Sequence, residues 1–192
     1  MILKQELLKP VADYSWEGNT GESIVLHITA GSNYKGARDT LIARHLSYHF
    51  IVDTDGKIYQ LVDIKRSAWH AGVKSNPNTR VRKFFGDTNP NRRSIGISFV
   101  APLDTWFSDI NDQQLKSAVE LIKYIGSTTG VRYNASNIFS HGEITDYKEK
   151  MLNECSQVIN ELVGYKDEKD VVVLQSTIDK LRALIKKLTN GK

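Results

Sequence analysis

The sequence predicts an α/β fold: a central mixed β-sheet flanked by α-helices, in a single domain followed by a C-terminal amphipathic helix. Three observations carry this. The runs Ser23–Ile28 and Ser94–Val100 are short, apolar and β-branched, as buried strands are. Between such runs lie segments whose apolar residues recur at three and four, the helical spacing. An Asp-Gly turn joins two further apolar runs, which reads as a hairpin. Alternation of strands and helices favours a sheet covered by helices. The 192 residues, 40% hydrophobic and 25% charged, suffice for one domain with a real core.

Taken in order, residues 1–22 are mixed, and Trp16-Glu17-Gly18-Asn19-Thr20-Gly21 reads as a turn-rich lead-in. Ser23–Ile28 is the first strand. Residues 37–47 are predicted helical, with Leu41 and His45, and Ile42 and Leu46, each four apart. Tyr48–Val52, the turn Asp53-Thr54-Asp55-Gly56 and Lys57–Val62 make the hairpin. Residues 73–93, polar and containing Pro77 and Pro90, are expected to form a long loop, the kind that often carries function. Ser94–Val100 is a central strand. Asp112–Ile125 is an amphipathic helix with Leu115, Val119, Ile122 and Ile125 on one face and its cap at Asn111 or Asp112. Ile138 and Phe139 mark a strand ending at His141, and a last core helix starts near Asn153 and runs through Val158, Ile159, Leu162 and Val163. The domain is expected to span residues 1–165.

Residues 166–192 are read as a charged linker and a C-terminal helix. Val171, Leu174, Ile178, Leu181, Ile185 and Leu188 form an apolar stripe at alternating steps of three and four. Such a helix packs on its own domain, pairs with another copy, or lies on a membrane surface through Lys180, Arg182, Lys186 and Lys187.

Composition narrows the function. A net charge of +4 suits approach to an anionic polymer, but no helix is dense in Lys and Arg with interleaved aromatics, so nucleic acid is not expected as a partner. No apolar stretch approaches the roughly 20 residues of a membrane span. Met1-Ile2-Leu3-Lys4-Gln5-Glu6 lacks the basic-then-apolar order of an export signal, and a cytoplasmic location is expected. A single cysteine, Cys155, excludes an internal disulfide and leaves a buried thiol, a nucleophile or a metal ligand.

Three segments carry the chemistry: Ile24-Val25-Leu26-His27-Ile28-Thr29-Ala30-Gly31, Ala68-Trp69-His70-Ala71-Gly72 and Ser140-His141-Gly142-Glu143. His27 and His141 each close a short apolar run. Two imidazoles leaving the ends of buried strands and converging in a cleft are what an open zinc site requires. No nucleophile-elbow motif accompanies Cys155 or any serine, which disfavours a serine or cysteine hydrolase. His49 follows Tyr48 on a strand and so faces the core, whereas His45 is placed on a helix surface.

With Ser47-Tyr48-His49-Phe50-Ile51-Val52-Asp53, Asp55-Gly56-Lys57-Ile58-Tyr59-Gln60, Asn91, Ser94-Ile95-Gly96-Ile97, Gln113 and Ile144 in the same order, the chain from Ile24 to Gly164 resembles the zinc-dependent N-acetylmuramoyl-L-alanine amidases of the phage-lysozyme and peptidoglycan-recognition type. The resemblance implies hydrolysis of the amide between N-acetylmuramic acid and the L-alanine of the stem peptide by a zinc-activated water. It makes His27 and His141 metal ligands. The family places a Cys or Asp, followed by Pro-Gly, shortly after the second histidine; here there is no Pro-Gly, and the third ligand is Cys155 or Glu154, with Glu149 as a further candidate. Thiolate suits zinc well, and Cys155 lies near a predicted helix start, where a thiol pKa falls.

The resemblance also places Tyr48 beside the metal, as donor to the oxyanion or as the group that orients the nucleophilic water, and Lys150, or Lys148 in its stead, as a charge stabiliser. His70 walls the cleft, where it hydrogen-bonds substrate or orients its loop, and Asn91 and Arg93 are expected to contact the stem peptide or muramic carboxylates. Ser98 stands where many members carry a glutamate base, which leaves base catalysis to the zinc-bound hydroxide, Glu143 or Tyr48. The implied partner is peptidoglycan or a muropeptide, and the implied protein a phage or prophage endolysin. The alternatives are a muropeptide-recycling amidase of the cytoplasm and a module that binds peptidoglycan without cutting it.

Overall fold

The computed structural model describes residues 3–8, 15–72, 74–102, 110–146, 158 and 161–162. Its main sheet has the order β1-β5-β4-β7-β3-β8, from β1 (Leu3–Gln5), β3 (Ser23–Ile28), β4 (Phe50–Val52), β5 (Ile58–Gln60), β7 (Ser94–Phe99) and β8 (Ile138–Ser140). Only β4 and β5, the two arms of the expected hairpin, run antiparallel; the other neighbours are parallel. The sheet is thus mixed, as expected, with β7 and β3 side by side in its interior. A second sheet of two antiparallel strands pairs β2 (Ser15–Glu17) with β6 (Arg66–Ala68).

Period-two alternation divides the central strands into an oily face and a polar one. Ile24 and Leu26 of β3 and Ile95, Ile97 and Phe99 of β7 meet α3 (Asp112–Thr129) through its Ala118, Leu121, Ile122 and Ile125. Asn111 caps α3 in a reciprocal box with Gln114, and Gly130 ends it in the left-handed conformation. The opposite face presents Val25 and His27 from β3 and Ser94, Gly96 and Ser98 from β7, all buried. Small side chains on β7 leave room there for rings from neighbouring segments.

Gly56, at φ 76°, turns the hairpin onto α3, where a Cβ would approach the backbone oxygen of Gln113 to 3.1 Å.

The structure corrects several boundaries. Residues 73–93, expected as a loop, contain α2 (Thr79–Phe85) and a 3-10 turn at Pro90–Arg92. Asn78 caps α2 by accepting from Val81 N, and Val81 and Phe85, four apart, pack with Phe139. The first helix, α1, is Tyr34–Ala43 rather than 37–47, because Asn33 caps it through Gly36 N. His45 therefore lies beyond the helix, exposed and at φ 54°. The lead-in contributes β1 and β2, whose partners are distant in sequence. His141 opens a short helix, α4 (His141–Ile144), instead of closing a strand. Val158 is buried and Leu162 packs against the core, but the remainder of the last predicted helix, the 165/166 boundary and the C-terminal stripe lie outside the described residues.

Candidate active site

Strand register brings the two motif histidines to one level. Leu26 pairs with Ser140 across parallel β3 and β8, so His27 and His141 leave adjacent strands at the same end of the sheet. Parallel sheets present their ligand sites at this carboxyl edge. The ring nitrogens Nδ1 of His27 and Nδ1 of His141 stand 3.0 Å apart, and His27 is 1% exposed.

Elements around α4 fix the second histidine. Ser140 and Glu143 form a capping box at its start. The Glu143 carboxylate also accepts from Arg80 Nε and Nη2, both at 3.0 Å, and from Asn78 Nδ2 at 3.1 Å. Arg80 lies over the Phe139 ring and donates to Ile138 O and Ala135 O. Glu143, one candidate for the base, is thus committed to holding α2, β8 and α4 together.

The third motif histidine lies beneath the first. His70 is 6% exposed, with Nδ1 3.0 Å from His27 Nε2 and Nε2 3.3 Å from Ser94 Oγ. Burial, with the neighbouring His49 and His141 adding to it, holds its pKa well below the ordinary value, so the ring is neutral. Asn91 Oδ1 accepts from the backbone N–H groups of His70 and Ala71 at 3.2 and 2.8 Å. Asn91 is therefore a clamp on the Trp69–Ala71 segment as well as a wall of the cleft.

Tyr48 lies against the other side of His27, ring centroids 4.8 Å apart. Burial pushes its phenol above the usual pKa, partly offset by the Ser98 hydroxyl, so it stays protonated at neutral pH. Tyr48, His70 and His141 line a cavity of about 360 Å³ together with Thr29, Trp69 and Arg44, the C-cap of α1.

Arg93 has other company. It donates to the Glu22 carboxylate and to Phe84 O at 2.7 Å, with its guanidinium over the Phe84 ring. That hydrogen bond is the main reason the Glu22 carboxyl titrates below its usual range. Arg93 is not among the residues that line the cavity. His49 is a core histidine, its Nε2 donating to Arg66 O at 2.8 Å.

Glu149, Lys150, Glu154, Cys155 and Lys148 lie outside the described residues. Among the described residues no set of three His, Cys, Asp or Glu side chains is arranged around a metal position. The pair that is described nonetheless suits zinc: two imidazole nitrogens approach each other where His141 lines the cavity, and ligation at about 2.0–2.1 Å in a tetrahedron needs only a slight opening of their separation.

Two supporting residues escaped sequence reasoning. Ser94 was visible only as part of an apolar strand, although Ser94-Ile95-Gly96-Ile97-Ser98 alternates small with large. Gln114 is 3% exposed and bridges Val52 O and Val100 O from inside α3, which helical spacing alone does not reveal.

A family model described as N-acetylmuramoyl-L-alanine amidase matches residues 17–155. No curated protein matches the chain. Among solved structures, the chain is similar to the catalytic domain of XlyA, at 22% identity and TM-score 0.61 over 84% of this chain and 99% of that one. It is similar to a mutant endolysin from Bacillus subtilis, at 22% identity and TM-score 0.60 over 84% of this chain and 99% of that one. A third is AmiD from E. coli, an N-acetylmuramyl-L-alanine amidase in complex with anhydro-N-acetylmuramic acid-L-Ala-D-gamma-Glu-L-Lys, at 24% identity and TM-score 0.54 over 66% of this chain and 50% of that one.

Proposed function

The chain belongs to the N-acetylmuramoyl-L-alanine amidase family, and on that premise we propose that it is a zinc-dependent peptidoglycan amidase of the endolysin type, cleaving the bond between N-acetylmuramic acid and L-alanine. The observation that carries this reading is the approach of His27 Nδ1 to within 3.0 Å of Nδ1 of His141, which lines the cavity.

His27 and His141 would hold the metal, with Cys155 or Glu154 completing the set. When bound, zinc acidifies a water molecule and polarises the scissile carbonyl. Tyr48 keeps its proton and offers it in a hydrogen bond to the oxygen on which negative charge develops. The family resemblance gives Lys150 the part of adding positive charge to stabilise that oxygen. The cavity receives the sugar–peptide junction, and Arg44 in its wall meets a carboxylate of the stem peptide. The endolysin assignment draws on the similar structures, one of them named an endolysin. A basic C-terminal helix would favour an anionic envelope.

The test is turnover of a defined muramyl peptide, followed by release of the L-alanine amino group. Activity should vanish with a zinc chelator, return with zinc, and be absent in His27→Ala and His141→Ala. Chelator-insensitive turnover rejects the zinc mechanism. Muropeptide binding without cleavage by the zinc-loaded protein makes the chain a binding module instead.

A further inference from the structure

We propose that His70 is a positioning residue that fixes the tautomer of His27, through a proton relay anchored on the carbonyl of Pro90. The consequence for metal affinity rests on the zinc reading above; the relay itself does not.

The relay follows from counting protons along four groups. Ser94 Oγ lies 2.7 Å from Pro90 O and 3.3 Å from His70 Nε2. A hydroxyl has one proton, and a carbonyl oxygen only accepts, so the shorter contact takes it. The serine oxygen is then an acceptor toward His70, and His70 Nε2 carries a hydrogen. A neutral imidazole with hydrogen on Nε2 has a bare Nδ1. That Nδ1 faces His27 Nε2 at 3.0 Å, so His27 Nε2 donates to it. His27 is left with an unprotonated Nδ1, the nitrogen that faces His141.

Each group in the relay is held. Ser94 is fully buried on β7. Pro90 sits in the 3-10 turn, its oxygen also accepting from Arg93 N at 3.0 Å. The backbone of His70 is gripped by Asn91. Water does not compete at Ser94 or His27, which are 0% and 1% exposed. A ligand histidine needs its second nitrogen bonded to a fixed acceptor, because that bond sets both tautomer and ring orientation. Here a neutral imidazole fills the place often taken by a carboxylate or a backbone carbonyl. His70, although its ring also lines the cavity, therefore acts on the reaction through His27 rather than by binding substrate.

The experiment uses the full chain labelled with ¹⁵N at histidine. Two-bond ¹H–¹⁵N spectra of the metal-free protein report the tautomer of each ring. Wild type should show His27 protonated at Nε2 and bare at Nδ1. His70→Leu removes the acceptor and should mix the His27 tautomers and weaken zinc binding, measured by chelator competition, by roughly 10- to 100-fold. His70→Asn places an amide oxygen near the position of Nδ1 and should restore most of both. His27 protonated at Nδ1 in wild type overturns the relay, whatever the variants do. Unchanged tautomer and zinc affinity in a folded His70→Leu overturn it as well. A wild type with His27 protonated at Nε2 that binds no zinc upholds the relay and overturns the amidase reading alone.

Discussion

Gly96 serves two histidines at once: its backbone N–H donates to His49 Nδ1 at 2.9 Å, and a Cβ on it would stand 2.5 Å from Cγ of His70. The absent side chain is the space in which the His70 ring lies. Because His70 is walled by β7, Asn91 and His27, the ring cannot retreat without losing its hydrogen bonds.

Gly96→Ala should therefore destabilise the fold by about 1–3 kcal/mol, the cost of overpacking a buried site. It should also weaken zinc binding, since the ring it displaces is the one against His27. Urea denaturation and chelator competition on the same protein measure the two effects. A variant that keeps wild-type stability and affinity would mean that the glycine is not required for the packing of His70.

Between Gly96 and Arg66, both nitrogens of His49 are committed. Nδ1 accepts and Nε2 donates, so the ring is neutral by construction, and burial lowers its pKa from 6.5 to about 4. The folded value lies below the unfolded one, so the unfolded chain binds more protons between them. Stability is full above about pH 6.5 and falls as the pH drops toward 4, by about 3 kcal/mol from this residue. His70, whose pKa burial also lowers, acts in the same direction. Unfolding free energy against pH, together with the titration of the His49 ring protons, measures this. An ordinary midpoint for His49 would contradict it.

How much of this was legible in the sequence depended on range. Strands and helices with their own periodicity, such as Ser23–Ile28 and Asp112–Ile125, were readable because one face of each meets the core. α2 was hidden because its seven residues carry four charges or aromatic rings around a two-residue apolar stripe, Val81 and Phe85, set in a polar stretch. β1 and β2 escaped because three-residue strands are specified by partners 55 and about 50 positions away rather than by their own pattern. At the site, His27 and His141 were conspicuous as residue types at strand ends. The job of Glu143 was not, since nothing local announces that Arg80 will meet it.

Glu143 offers a clean separation of structure from chemistry. Its carboxylate is bidentate with Arg80 and also caps α4, and its side chain is 11% exposed. Glu143→Gln should lower stability by about 1–3 kcal/mol through the lost charge-assisted bonds. The pH profile of kcat should keep its shape. A general base would behave oppositely, with a collapse of kcat at unchanged stability.

Tyr48 should separate binding from turnover in the other direction. Its hydroxyl is proposed to act where charge develops, so Tyr48→Phe should reduce kcat by about 10²-fold with little change in KM. The ring, which packs beside His27, is preserved in that variant. An equal loss in binding, with kcat unaffected, would assign the phenol to ground-state recognition.

The third ligand of the proposed zinc site can be told apart by its charge. Two imidazoles bring no charge, so the remaining protein ligand decides how much of the metal's charge is neutralised. Cys155 offers a soft thiolate and Glu154 a hard carboxylate, and zinc accepts either. Cys155→Ser removes the sulfur donor at nearly constant volume, and Glu154→Gln removes the charge at constant shape. If the thiolate binds, Cys155→Ser should loosen zinc by orders of magnitude while Glu154→Gln leaves it unchanged, and the cobalt-substituted wild type should show sulfur-to-metal charge-transfer absorption. The reverse pattern makes Glu154 the ligand. Unchanged zinc affinity in both variants would move the search to Glu149, nearer to His141 in the chain.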